Sequence, residues 1–157
     1  MSTDWNPLRK WERAVNACGF HRVDPDINES RFPLMGIGDP LQRYKRYRLA
    51  LVTPGRWMFT NDLLTAFAAN QFERPSFGDA MAFAHRFPEE QLRHPVAIMC
   101  EPWLTKSGGL VIPCLTFVDD ERRLTLFTAE HNFSEYWRFL IRIPKAKGSL
   151  VTWVNAA

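Results

Sequence analysis

The sequence predicts an α+β fold: a single domain over residues 1–157, with an antiparallel β-meander of about four to six strands packed by two to three helices. Three observations carry that prediction. Between Pro95 and Phe127 three apolar runs, PVAIMCEPWL, LVIPCLTFV and LTLF, are separated by the polar segments TKSGG and DDERR, which reads as strands joined by tight turns. Apolar residues recur at helical spacing in three other stretches. The composition, 46% hydrophobic and 24% charged over 157 residues, is that of a globular chain long enough to bury a core without staples.

The elements follow in order. Trp5, Leu8, Trp11, Val15 and Cys18 share one face of a helix over residues 5–18, with Asp4 as its cap, Pro7 in its first turn and Gly19 just past its end. Residues 21–40 form a proline- and glycine-punctuated loop, long enough to work as a cover. Arg43 to Val52 reads as a strand, and Thr53-Pro54-Gly55 as a turn. A second helix covers 61–71, capped by Thr60 or Asn61 with Leu63, Leu64, Phe67 and Ala68 as its stripe. The third, 77–87, opens on Ser76 with Asp79 three residues on, an approximate capping box, and ends at Pro88. In the segment PEEQLR there is room for one more turn.

Within the meander the 110–118 strand is apolar on both faces. Val111, Leu115 and Phe117 lie on one side; Leu110, Ile112, Cys114 and Val118 lie on the other. Such a strand expects cover on both sides. Pro102 and Pro113 each remove a ladder donor and predict a bulge or a local edge. A loop at 105–109 pairs residue 104 with 110, and that register sets Cys100 opposite Cys114 on one face. After the meander, Tyr136 to Ile143 fits a helix or a strand. Its β-branched and aromatic content, with KAKGS before LVTWV, selects a hairpin. In that strand Trp137, Phe139, Ile141 and Ile143 face one way, and Arg138 and Arg142 the other.

No motif advertises a chemistry. The three cysteines form no C-x-x-C, and MSTDWNPLRK has no apolar core, so the expected setting is a reducing cytoplasm. No apolar run is long enough to span a membrane. His21, His85, His94 and His131 have no metal spacing. Asp24, Asp26 and Asn28 imitate the start of a calcium loop, but Glu29 and Met35 stand where it needs glycine and glutamate, so an Asx-rich turn is the plainer reading. Glu130-His131 sits at a strand end, where adjacent side chains diverge. A cysteine nucleophile would need a base and an oxyanion site, and neither can be named. Gly36-Ile37-Gly38 lacks the third glycine of a dinucleotide loop. No metal, cofactor or catalytic residue is assigned.

Two surface readings remain. The two-sided meander and the aromatic load point to a non-catalytic cytoplasmic protein that binds another protein or itself. Its anchors would be Trp103, Tyr136, Trp137 and Trp153. The alternative is a nucleic-acid accessory domain. It would use Arg43, Lys45, Arg46 and Arg48, interleaved with tyrosines, and the 138–147 cluster of Arg138, Arg142 and Lys145. A charged edge strand that blocks unwanted pairing is the plainer explanation of these clusters, because a net charge of +3 does not demand a polyanion. An enzyme with an unadvertised site is the third reading.

Overall fold

The computed structural model describes residues 7–35, 47–130, 132–144 and 153–154. Helix α1 spans Pro7–Asn16, and strand β1, Arg22–Val23, follows it. Next come β2 (Tyr47–Val52), β3 (Met58–Phe59), α2 (Thr60–Ala69), α3 (Phe77–Arg86) and α4 (Glu90–Arg93). The remaining strands are β4 (Val96–Ala97), β5 (Trp103–Leu104), β6 (Leu110–Val118), β7 (Glu121–Thr128), β8 (Asn132–Phe133), β9 (Arg138–Pro144) and β10 (Trp153–Val154).

The expected elements form, but the expected sheet does not. An eight-stranded mixed sheet runs β1-β7-β6-β4-β9-β2-β10, with β5 beside β6, and β3 and β8 make a separate ribbon. Three of its pairings are parallel: β1 with β7, β4 with β9, and β10 with β2. It is therefore neither purely antiparallel nor a meander. Residues 138–144 are a strand, as expected, but the final hairpin is absent. Strand β9 lies between β2 and β4, and Trp153–Val154 pairs instead with Leu51–Val52 on the far side of β2. The reason is burial. Phe139, Leu140, Ile141 and Arg142 are all at most 1% exposed, and a strand so enclosed sits within a sheet with partners on both edges.

Alternation along the strands sends side chains into two separate cores. Leu51, Val96, Ile98, Leu115, Leu124 and Leu140 pack on one face with Trp11, Phe77, Ala80 and Met81 from α1 and α3. Ala50, Val52, Ala97, Ile112, Cys114, Phe139 and Ile141 pack on the other with Leu63 and Phe67 of α2 and Met58 and Phe133 of the ribbon. From Ile112 to Leu115 β6 is thus covered on both faces within the chain, whereas Phe117 and Val118 at its end stay 40 and 45% exposed. The loop after α1 joins the first core through Ile27 and Phe32, and the Trp11 indole donates to the Phe32 carbonyl at 2.8 Å.

Helix ends explain the local geometry. Gly19 takes φ +67° after α1, the left-handed position that a C-terminal glycine serves. Arg122 then donates to the carbonyls of Cys18 (2.6 Å), Pro88 (3.1 Å) and Ala84 (3.4 Å). One guanidinium so meets the carbonyl-rich ends of both α1 and α3. The Ser76–Asp79 capping box is present in both directions. Helix α2 differs from expectation. Its N-cap is Phe59 with no side-chain bond, because the Thr60 hydroxyl donates to the Ala129 carbonyl at 2.6 Å instead.

Candidate functional site

The sheet forks, and a groove lies at the fork. Strand β4 pairs with β6 as Val96↔Leu115 and Ala97↔Cys114, whereas β5 pairs as Trp103↔Val111 and Leu104↔Leu110. The loop end of the register is as predicted, but an odd number of extra residues separates it from β4. The bulge expected at the prolines is this break. Pro113 has no N–H, and its carbonyl takes the last bond before the gap, from Ile98 N at 3.0 Å. On the other side β9 leaves β4 and finds a new partner: Glu73 and Arg142 exchange both backbone bonds at 2.9 Å. Met99 and Cys100 thereby lose a strand neighbour. Arg74 supplies the donors, Nε to the Met99 carbonyl at 2.7 Å and Nη2 to the Cys100 carbonyl at 2.8 Å.

The opening holds a cavity of about 360 Å³. Its lining includes Leu64, Met99, Pro102, Leu110 and Ala129, with Arg74 and Glu130 as its charged members and Phe59 at the edge. Near it in the fold are the most exposed large apolar side chains among the described residues. Trp57, Phe59, Leu104 and Tyr136 are between 60 and 67% exposed. Phe59 lines the groove, and Leu104 pairs with lining residue Leu110. Trp57 precedes β3 by one residue, and Tyr136 follows β8, the strand to which β3 pairs. A second surface hollow, by Phe87, Glu89 and Glu90, has one of its carboxylates engaged already: Glu90 pairs with Arg138 at 3.2 Å.

The candidate anchors fall in different places. Tyr136 is exposed beside the ribbon. Trp137 is buried, its ring 5.2 Å from both Phe127 and Phe133. Trp103 is half-buried under the Arg31 guanidinium, 3.9 Å from its ring centre. Trp153 lies in β10, and its side chain is outside the described residues. The basic clusters do not merge. Arg43, Lys45, Arg46 and Lys145 lie outside the described residues. Arg48, the second residue of β2, alternates onto the α2 face with Ala50 and Val52, whereas Arg138 and Arg142 share the opposite face with Leu140. Arg142 is 1% exposed and paired with Asp79, where no solvent-borne phosphate reaches it.

Other sequence candidates resolve locally. Asp24 Oδ1 accepts from Asp26 N at 2.9 Å, Asn28 Oδ1 from Arg31 N at 3.0 Å, and Arg31 pairs with Asp26 at 2.9 Å. These carboxylates and amides hold their own loop, in the manner of Asx turns. Cys100 does not face Cys114. Ala97 does, and the odd break puts Cys100 in the α1/α3 core and Cys114 in the α2 core. Burial pushes the Cys100 thiol up to about 12 and Cys18 up to about 11, and raises Cys114 as well. These are protonated core thiols, the opposite of an activated nucleophile. Among the described residues no group of three or more His, Cys, Asp and Glu side chains could hold a metal ion, and no helix is long and apolar enough to cross a membrane.

Sequence reasoning missed Arg74, Trp57 and Phe59. For the last two a signal existed: Trp57-Met58-Phe59 after a Thr-Pro-Gly turn is a short alternating strand that turns two aromatics the same way. Arg74 had none, since its role depends on a register break 25 residues away. Compared with known proteins, the chain matches no family model, no curated protein and no solved structure.

Proposed function

We propose that the protein works by binding another protein, and that the fork groove with its aromatic rim is the contact surface. The observation that carries this is an open, largely apolar cavity lined by Phe59, with Trp57, Leu104 and Tyr136, all more than half exposed, on or next to the strands that supply or pair with its lining residues. Both sheet faces are covered by the chain's own helices, so the contact surface lies at the groove and not on an open sheet face. The anchors move accordingly, from Trp137 in the core to Trp57 and Phe59 on the rim. Aromatic residues at the centre of a patch are the usual carriers of binding energy. The nucleic-acid alternative is weaker, because Arg138 and Arg142 already face Glu90 and Asp79.

Affinity capture with the intact chain tests the reading, using Trp57→Ala and Phe59→Ala as comparators. Each variant keeps its folding stability to within about 0.5 kcal/mol, as exposed substitutions do. Each weakens capture of the protein held by the unaltered chain by about 2 kcal/mol, the cost of losing an anchor. Equal capture by the variants, or no specific capture by the parent chain, removes the proposal.

A further inference from the structure

Arg74 is fixed in an unusual way for an exposed arginine. Two backbone carbonyls hold one edge of its guanidinium, through Nε at 2.7 Å and Nη2 at 2.8 Å. The other edge, Nη1 with the second Nη2 hydrogen, bonds to nothing among the described residues, and no carboxylate there pairs with it. That edge carries two parallel N–H groups, the geometry that grips a carboxylate bidentately. Arg74 lines a cavity together with Leu64, Met99 and Leu110, its apolar floor. A cation oriented in advance and an apolar floor, in a space of about 360 Å³, describe a ligand with an anion and an apolar group close together.

We infer that the groove receives the C-terminal residue of a partner chain, with its apolar side chain on the floor and its carboxylate on Arg74. This rests on the protein-binding reading above and names the part of the partner that enters. A chain terminus fits because side chain and carboxylate hang from one Cα. An internal aspartate or glutamate next to an apolar anchor does not fit, since neighbouring side chains of an extended peptide point to opposite sides. Glu130 also lines the cavity, and its charge opposes the carboxylate. It makes the complex weaker than Arg74 alone would and provides an independent handle.

The test is an NMR titration of the intact chain with the peptide Ac-Gly-Ser-Gly-Phe as free acid, as C-terminal amide, and with Ac-Gly-Phe-Asp-Gly-amide as the internal-acid control. The free acid shifts amide signals of Leu64, Met99 and Leu110 at millimolar concentration, and the other two bind about tenfold more weakly, the worth of one charge-assisted contact. Glu130→Gln tightens the free acid severalfold and leaves the amide unchanged. Arg74→Gln reduces the acid to the level of the amide. Should that variant unfold through the loss of its carbonyl bonds, the amide comparison and Glu130→Gln still decide. Equal binding of acid and amide, equal binding of the internal acid, or no binding of any peptide overturns the inference. If it falls while Trp57→Ala and Phe59→Ala still lose their captured protein, only the carboxylate assignment is wrong.

Discussion

Among the described residues three donors converge on the Asp79 carboxylate. Tyr47 Oη gives to Oδ1 at 2.6 Å, and Arg142 Nε and Ser76 N both give to Oδ2. Asp79 is 4% and Arg142 1% exposed, so the pair is fully desolvated, and its value lies in its completeness. A buried pair can be worth no more than a hydrophobic replacement, yet removing one member strands the other charge, typically at about 3–5 kcal/mol. Asp79→Asn keeps the shape and removes the charge, so it loses stability in that range in a urea melt. Tyr47→Phe removes one donor of three and costs about 1 kcal/mol. A cost for Asp79→Asn below that of Tyr47→Phe shows that the charge of Arg142 does not depend on Asp79. Half of this arrangement was legible. Ser76 and Asp79 at capping-box spacing announce the helix start. Nothing local announces Arg142, 63 residues away, because strand partners are chosen by the whole sheet.

Among the elements, α3 is the most constrained at its start. Gly78 donates to the Leu34 carbonyl at 2.9 Å, and a Cβ built on it would meet that same oxygen at 2.6 Å. The contact is backbone against backbone, so no side-chain rotation relieves it. Gly78→Ala therefore destabilises despite alanine's better helix propensity. Overpacking of this kind costs about 1–3 kcal/mol, against a propensity gain of about 1 kcal/mol. A thermal melt showing Gly78→Ala at or above the parent's midpoint would mean that Leu34 can retreat. All three long helices were legible from 3.6-residue periodicity and caps, since those signals are local. The long strands were legible as strands and illegible as neighbours, whereas the two-residue strands Arg22–Val23, in a segment that reads as a loop, Met58–Phe59 and Asn132–Phe133 were missed. YWRFLIRI looks like the first arm of a hairpin, but its edges are taken by β2 and β4, and that choice depends on residues 47–52 and 96–97. The groove was illegible for the same reason. Phe59, Arg74, Met99 and Leu110 come from separate segments and meet only because the sheet forks.

At the scale of the whole molecule the cysteines report on the two cores at once. Cys100 lies in the α1/α3 core and Cys114 in the α2 core, so opening either layer exposes one of them. Burial raises the Cys100 thiol from its ordinary 9.0 to about 12 and moves Cys114 in the same direction. The native state then holds these protons more tightly than the unfolded chain does. The stability linked to them is complete below pH 9, where both states are protonated. It declines as pH rises from 9 towards 12, where the unfolded chain releases its protons and the native state cannot follow. At one pKa unit per 1.36 kcal/mol, the loss near pH 11, two units above 9.0, is about 3 kcal/mol for Cys100 alone. Urea melts at pH 8 and pH 11 measure it. Tyrosines and lysines titrate in the same window, so the comparison is with Cys100→Ala and Cys114→Ala. Each substitution lowers stability at pH 8 by about 1–3 kcal/mol, as a small core truncation does, yet shows a shallower fall between pH 8 and pH 11 than the parent. An identical fall in parent and variants would mean that the thiols reach solvent in the native state. In that case the native protein at pH 8 would also react with iodoacetamide as fast as the urea-unfolded chain, and the two-layer cover of this sheet would not be closed.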